Sequence, residues 1–366
     1  MTEMTRRRTL QALAGVVLAG AATTIAATPA PDGMTLRQLA GQRVIYSYAG
    51  LTPPDALLRR IRAGEAAGVI FFGENVSSTQ QIAGVVRELR DANAQSPVRR
   101  PLLLMTDQEG GKVRRLPGEP ALSEKQVGQA ADPEAAARAA GKGAGTTLSG
   151  VGMNLNLAPV LDVFGQPENF IDQYGRSFSD DPHTAGVLGR DFVTAQQATG
   201  VAATAKHFPG LGAAPAGSNT DLGPVTLNVP LSELRAKDEA PYGPAIAAGV
   251  KLVMLSWAVY PALDATRPAG LSPAVVQELR QHQRFQGVTI TDALEAKALQ
   301  AYGTTGERAT LAAEAGMDLI LASARDVAQG EEAVSALAAG LSGGSLPSAG
   351  FRAAVGRISA LRDGLR

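Results

Sequence analysis

The sequence predicts an α/β protein in which eight parallel strands alternate with helices and close into a single-domain (β/α)₈ barrel of the TIM type. Short apolar runs recur along the chain with amphipathic segments between them. Several of these runs are almost continuous in Val, Ile, Leu or Met, which is typical of a parallel sheet that is buried on both faces. The chain length of 366 residues also suits a barrel of this type.

Eight apolar runs are the candidate strands of this barrel. In chain order they are Val44–Tyr48, Val69–Phe72, Leu102–Thr106, Met153–Leu157, Val201–Ala205, Leu252–Leu255, Val288–Thr291 and Asp318–Leu321. The alternative architecture is an open, doubly wound sheet. It is disfavoured because no Gly-rich nucleotide-binding turn follows a strand.

The segments between the strands carry helical periodicity and helix-start signals. Ser78-Thr79-Gln80-Gln81 matches a capping box, and apolar residues then follow at helical spacing from Ile82 to Leu89. Ser272 precedes a proline in the position expected for the first turn of another helix. A final apolar stripe runs from Phe351 to Leu361. These signals predict the helices that must cover a parallel barrel.

The first thirty residues differ in composition from the rest. The arginines at 6–8 precede an apolar, Ala/Gly-rich run at about 12–22, and small residues follow. This order is typical of a signal peptide, and the paired arginines suggest the twin-arginine export route. A disordered or membrane-anchoring terminus is the alternative, but the run is shorter than the ~20 residues of a spanning helix. We predict an exported protein of the cell envelope or exterior, with a signal peptide at 1–30 and a barrel domain at 34–366.

Composition excludes several classes of partner and cofactor. The 34 basic and 34 acidic residues cancel, so no strong field recruits nucleic acid. Cysteine is absent, which removes disulfides, thiolate metal sites and a lipidated-cysteine membrane anchor. His183, His207 and His282 are too widely spaced to suggest a metal site. We therefore predict no metal, no cofactor, no nucleic-acid partner and no stable membrane anchor, and leave the oligomeric state open.

Polar residues cluster where the predicted strands end. In a barrel of this type, active-site residues follow the C-terminal ends of the strands. The polar residues found there are Asp107, Gln108, Glu109, Asn156, Asp162, Lys206, His207, Ser256, Trp257 and Asp292. Together they predict a pocket at one rim of the barrel. Taken singly, each has a simpler alternative, since Asp162, for example, could cap a helix or form a turn.

Five motifs follow one another in this order along the chain: Asp107–Arg115, Asn154–Val163, Gly175–Phe178, Lys206–Gly210 and Thr291-Asp292. Together they resemble the catalytic barrel of glycoside hydrolase family 3. The most similar group is the single-domain bacterial β-N-acetylglucosaminidases that trim peptidoglycan fragments, and the resemblance runs from about Leu36 to the C-terminus. It implies a retaining exo-β-glycosidase, a β-N-acetylhexosaminidase of cell-wall sugars, whose partner is a small carbohydrate or glycan fragment.

The resemblance also implies roles for individual residues. Asp107, Arg176, Lys206 and His207 would hydrogen-bond the hydroxyls of the terminal sugar, although a buried ion-pair network at the barrel rim is the alternative. Asp162 belongs to the same candidate substrate-binding set. Asp292 matches the nucleophile that forms a covalent glycosyl-enzyme.

Trp257, the only tryptophan, follows the sixth candidate strand. It is the remaining candidate for substrate binding, because its ring could stack on a sugar face. Packing at the barrel rim is the alternative. Aromatic residues make up only 4% of the chain, which favours a small pocket over a long polysaccharide cleft.

The chain departs from the family pattern at the acid/base residue. The related single-domain enzymes carry a second histidine, paired with an aspartate, in the loop after the fifth strand, where this chain has Leu211. Three interpretations stay open. In the first, Asp221 on that loop acts as acid/base, with its pKa raised above about 3.9. In the second, the acid/base is another carboxylate, Glu109 or Glu168, or a residue of a partner chain. In the third, the protein is a catalytically impaired sugar-binding module.

An unrelated barrel enzyme acting on phosphorylated metabolites is a further alternative. Such enzymes often bind phosphate at Gly-rich segments after the last strands. The segment at 319–324 contains no glycine, which disfavours this class.

Overall fold

Eight parallel strands close into a barrel in the computed structural model, which describes residues 33–365. In chain order the barrel strands are β1 (Val44–Tyr46), β2 (Gly68–Ile70), β3 (Leu103–Thr106), β4 (Leu155–Asn156), β5 (Ala202–Phe208), β6 (Leu252–Leu255), β7 (Val288–Ala293) and β8 (Leu319–Leu321). Each strand pairs with its neighbours in the sequence, and β1 pairs with β8, for example Val44 with Ile320. The predicted (β/α)₈ barrel is therefore confirmed and the open-sheet alternative is wrong. The predicted signal peptide lies outside the described residues.

Helices surround the barrel. Their bounds are Leu36–Gly41, Asp55–Arg62, Thr79–Ala94, Glu124–Gly128, Pro133–Gly150, Pro182–Gln197, Leu231–Glu233, Tyr242–Ala247, Pro273–Gln277, Thr305–Ala315, Val327–Gly343 and Ser348–Asp363. Single turns of π-helix extend two of them, at Leu234–Asp238 and Glu278–His282. Short 3₁₀ turns lie at Gly73–Asn75, Asp172–Tyr174, Ala269–Leu271 and Lys297–Tyr302. Two small antiparallel hairpins, Gln108–Gly110 with Val113–Arg114 and Val259–Tyr260 with Asp264–Pro268, project from strand ends.

The predicted helix starts lie at the expected residues. The Ser78 hydroxyl accepts a hydrogen bond from the Gln81 N–H at 3.1 Å, whereas the Gln81 side chain accepts from Ser77 rather than from Ser78. Ser272 caps its helix in the same way, accepting from Val275 N–H at 3.3 Å. The polar side chains thus satisfy backbone donors that a helix start leaves unpaired.

Alternate strand residues enter different apolar layers, as a barrel requires. In β1, Ile45 belongs to the cluster formed by the inward-facing residues of the other strands, whereas Val44 and Tyr46 pack with the surrounding helices. Ile358 and Leu361 of the last helix join the inner cluster. Arg357 on the same helix pairs at 2.6 Å with Asp318, which directly precedes β8. This helix therefore covers the end of the barrel where the strands begin, and the opposite end is left for a site.

Within residues 33–365, none of the helices is both long enough and apolar enough to span a membrane.

Candidate active site

A cavity of about 430 Å³ opens where the barrel strands end. Its polar lining includes most of the residues that the sequence singled out: Asp107, Arg176, Lys206, His207, Asp221 and Asp292. These residues lie at the ends of four different strands or in the loops after them, and the barrel brings them together because all parallel strands end at the same rim. Asp162 and Trp257 do not line the cavity.

The wall formed by β3, β5 and the loop after β4 is a network of buried charges. The Lys206 ammonium lies 2.7 Å from Asp107 Oδ1 and 2.7 Å from Glu109 Oε1. Arg176 donates two hydrogen bonds of 2.9 Å to the two oxygens of Glu109. Lys206 and Glu109 are each only 2% exposed. The predicted sugar-binding residues therefore also form the ion-pair network that was the alternative interpretation, and the two roles are compatible because the network borders the cavity.

Glu109 is unsuited to the role of catalytic acid. Burial alone raises the pKa of this carboxyl, but the charges of Arg176 and Lys206 outweigh burial and hold its pKa at about 2. Glu109 is therefore ionised at neutral pH and has no proton to donate. Glu168, the other carboxylate considered, is exposed and lies outside the cavity lining.

His207 is held by a buried aspartate. Its Nδ1 lies 2.7 Å from Asp162 Oδ2, while Asp162 Oδ1 accepts the backbone N–H groups of His207 at 3.2 Å and Leu211 at 2.8 Å. The other ring nitrogen, Nε2, lies 3.4 Å from an Arg176 nitrogen. Asp162 is fully buried. The prediction that Asp162 binds substrate is therefore corrected: it orients His207.

The Trp257 indole packs inside the protein instead of facing the cavity. It is 1% exposed, and a side-chain carbon on Gly270 would come within 2.5 Å of its ring. Its Nε1 donates a 2.8 Å hydrogen bond to the carbonyl of Ala293, the residue after Asp292. The prediction that Trp257 stacks on a sugar is thus wrong for this structure, and the packing alternative is the observed one.

Asp292 lies in the cavity at the end of β7. It is partly exposed, and its Oδ1 accepts a 2.7 Å hydrogen bond from the Ala293 N–H. Trp257 and Asp292 are thus linked through the same residue, because Ala293 binds the indole through its carbonyl and the carboxylate through its N–H. The end of the strand is thereby fixed by hydrogen bonds to both backbone groups of Ala293.

The loop that carries Asp221 is docked on the segment that follows β7. The carbonyls of Thr220 and Asp221 accept the N–H groups of Ala298 at 3.0 Å and Lys297 at 3.2 Å. These bonds hold the exposed Asp221 at the mouth of the cavity. Leu211, which replaces the family's second histidine, is 2% exposed and lines the cavity.

The environment of Asp221 favours its protonated form. Partial removal from water, followed by the negative charges of Asp292 and Glu295, raises its pKa to about 6. His207 and Arg176 oppose this shift but are outweighed. An acid with a pKa near 6 holds a proton in mildly acidic solution, which is the property that general acid catalysis needs.

Three polar cavity residues that follow β7 and β8 were not singled out from the sequence. Glu295 accepts hydrogen bonds from Ser323 Oγ at 2.8 Å and Gln329 Nε2 at 3.2 Å. Arg325 lies 4.1 Å above the Phe72 ring and pairs with Glu74 at 3.3 Å. Glu295, Ser323 and Arg325 follow β7 and β8 within a few residues. The strand-end rule, applied to every strand rather than to the motifs alone, would have found them.

Comparison with known proteins identifies the family. Residues 36–361 match the model of the glycosyl hydrolase family 3 N terminal domain. An uncharacterized secreted glycosyl hydrolase of Arthroderma benhamiae is 45% identical over 345 residues, which cover 93% of this chain and 97% of that protein. A beta-hexosaminidase of Xylella fastidiosa is 36% identical over 287 residues, 76% of this chain and 82% of that one.

Solved structures agree. A family 3 beta-N-acetylglucosaminidase from Paenibacillus sp. superposes with a TM-score of 0.83 at 34% identity, covering 90% of this chain and 62% of that one. A beta-N-acetylhexosaminidase from Beutenbergia cavernae gives a TM-score of 0.82 at 32% identity, covering 90% of this chain and 99% of that one. The chain therefore belongs to glycosyl hydrolase family 3 and is a glycoside hydrolase.

Proposed function

We propose that the protein is an exported, retaining exo-β-N-acetylhexosaminidase in which Asp292 is the nucleophile and Asp221 the acid/base. The observation that carries the proposal is the electrostatic coupling of these two carboxyls in one cavity. Asp292 is one of the charges that raise the pKa of Asp221 to about 6. A retaining glycosidase needs such a pair, with one carboxylate ionised and one carboxyl protonated.

In the first step, the Asp292 carboxylate attacks the anomeric carbon while Asp221 donates its proton to the departing glycosidic oxygen. The product is a glycosyl ester on Asp292 and a free leaving group. Because the ester is neutral, Asp221 loses a negative neighbour and its pKa falls. The resulting Asp221 carboxylate then takes a proton from water, which attacks the anomeric carbon and releases Asp292 with overall retention.

The opposite wall of the cavity provides the groups that would hold the sugar. Lys206, Arg176 and Asp107 are charged, and charged groups make stronger hydrogen bonds to hydroxyls than neutral groups do. Their mutual ion pairs keep them in place before substrate arrives, so little ordering entropy remains to be lost on binding.

The choice of sugar and location rests on relatives. The Xylella, Paenibacillus and Beutenbergia proteins are named as hexosaminidases or N-acetylglucosaminidases, which supports an N-acetylhexosaminide substrate. Peptidoglycan-type fragments are the proposed source of this sugar. The Arthroderma relative is described as secreted, which supports export, and the arginines at 6–8 support the twin-arginine route.

A catalytically impaired sugar-binding module is not favoured. It was considered because the family's second histidine is replaced by Leu211. A carboxyl with a raised pKa in the same cavity supplies the chemistry that the missing histidine would have supplied.

The direct test compares turnover of activated aryl β-N-acetylglucosaminide and aryl β-glucoside by the mature protein. We expect faster turnover of the N-acetylglucosaminide. A fluorinated glycoside that forms the glycosyl-enzyme quickly and hydrolyses it slowly should add its mass to the peptide containing Asp292. Sugar binding without turnover of either glycoside, and without a labelled peptide, would instead support the binding module.

A further inference from the structure

A second cluster of potential ligands lies away from the catalytic cavity. Glu239, Glu278 and His282 each offer one ligand atom, and these atoms all lie within 4.8 Å of one another. Within residues 33–365 it is the one group of three His, Cys, Asp or Glu side chains with this geometry. None of the three lines the catalytic cavity.

The Glu239 carboxyl group in this cluster has one oxygen without a hydrogen-bond partner among the described residues. Its side chain is fully buried, and Oε2 accepts a 3.1 Å hydrogen bond from Gln283. Oε1 is buried too, but no hydrogen-bond donor in the described part of the chain reaches it. A buried carboxylate oxygen without a partner is destabilising and rare in native proteins.

The backbone around the cluster is also unusual, because all three residues lie in or next to π-helical turns. Glu278 and His282 are the first and last residues of one π-helical turn, and Glu239 directly follows the other, Leu234–Asp238. Of the described residues, only these two segments are π-helical. Such turns are rare and occur frequently at functional sites.

We propose that Glu239, Glu278 and His282 bind a divalent cation of the Zn²⁺ type, which links the helical segment after β5 to the one after β6. Imidazole nitrogen and carboxylate oxygens are ligands that Zn²⁺ accepts, with water completing the coordination. Two donors bound to one ion at ~2.0–2.2 Å lie at most about 4.4 Å apart, so the spacing of up to 4.8 Å within this cluster needs only a small side-chain adjustment.

The existing ion pair at Glu278 is compatible with this site. Arg235 contacts the two oxygens of Glu278 at 2.6 Å and 3.0 Å. Each carboxylate oxygen has two lone pairs, so Glu278 accepts from Arg235 and coordinates the cation at once. The cation supplies the positive charge that Glu239 lacks, because Arg235 hydrogen-bonds Glu278 rather than Glu239.

The test is Zn²⁺ binding by the untagged mature protein after chelation. We expect one Zn²⁺ per chain by atomic emission after dialysis, and a higher Tm with Zn²⁺ than with chelator. In His282→Ala and Glu239→Gln, the bound metal and the rise in Tm should both be lost. His282→Ala alters an exposed side chain, so its folding is not at risk if Glu239→Gln proves unstable.

His183→Ala is the matched control, because His183 is also an exposed helical histidine but lies outside the cluster. It should bind Zn²⁺ as the wild type does. No stoichiometric Zn²⁺ in the wild type would overturn the proposal, as would equal binding by His282→Ala. Neither readout uses glycosidase activity, so the outcome is independent of the function proposed above.

Discussion

The charged wall of the cavity and the loop at its mouth are built in opposite ways. In the wall, Lys206 and Glu109 are 2% exposed, and each is tied to charged partners at 2.7–2.9 Å. In the loop, Asp221 is exposed and its neighbour Leu222 is 67% exposed. Backbone hydrogen bonds to Lys297 and Ala298 hold the loop in place.

In the proposed mechanism, this difference separates sugar recognition from proton transfer. The wall must be ordered before substrate arrives, because a preformed network loses little entropy on binding. The acid/base residue must take up and release a proton during each turnover, and water at the cavity mouth allows this. The motifs that resemble family 3 include the wall residues, whereas the loop departs from that resemblance at Leu211. We therefore expect substitutions in the wall and in the loop to have different effects on activity and stability.

The largest effect is expected at Asp292, the proposed nucleophile. Asp292→Ala removes the carboxylate that is proposed to form the glycosyl-enzyme, so it should lower kcat by roughly 10⁴-fold or more. Initial rates on aryl β-N-acetylglucosaminide measure it. The exposed Asp55→Ala, on a helix outside the barrel, should retain wild-type activity. Near-normal turnover by Asp292→Ala would place the nucleophile elsewhere.

The loss of activity caused by a substitution in the loop should depend on the leaving group of the substrate. Asp221→Ala should lose roughly 10²–10⁴-fold on unactivated disaccharides, the usual contribution of general acid catalysis. Cleavage of an activated aryl glycoside should suffer less, because a good leaving group needs little proton donation. Azide should rescue the second step by replacing the base-activated water. An equal loss on both substrate types, without rescue, would argue against Asp221 as acid/base.

Substitution in the wall should reduce stability as well as activity. Glu109→Gln removes the carboxylate that pairs with Arg176, while Lys206 keeps Asp107, so one positive charge of the network loses its partner, which typically costs about 3–5 kcal/mol. Urea denaturation measures the loss. Glu134→Gln breaks an exposed pair with Arg138 and should change the free energy of unfolding by less than about 1 kcal/mol. Similar losses in the two variants would show that the wall is not a preformed network.

The smallest effect is expected from removing a negative charge near Asp221. With a pKa of about 6, Asp221 is protonated below that pH, so kcat/KM should fall as pH rises through about 6. Glu295→Gln removes one of the negative charges that raise this pKa, so the fall should move to lower pH by less than about one unit. The exposed Glu88→Gln is the control. A shift to higher pH in Glu295→Gln would contradict the assignment.

Sequence patterns located the strands well and the roles of single polar residues less well. All eight strands lie where apolar runs predicted them, because the local pattern of apolar residues reports burial directly. Asp162 and Trp257 were also placed correctly, at strand ends, but their side chains point to different neighbours than expected. The position of a residue relative to a strand constrains its backbone. The burial of its side chain depends instead on which residues of the loops pack against that side chain.

The sequence by itself determined the barrel, the family, and the gathering of Asp107, Lys206 and Asp292 at one rim, because parallel strands all end there. Only the tertiary structure decided that Asp162 hydrogen-bonds the His207 ring and that Glu109 is ionised. Only the tertiary structure, too, placed His282 beside Glu239. These outcomes depend on contacts between residues far apart in the chain, since burial and neighbouring charges set both pKa and ligand geometry, and a spacing rule carries no information about them.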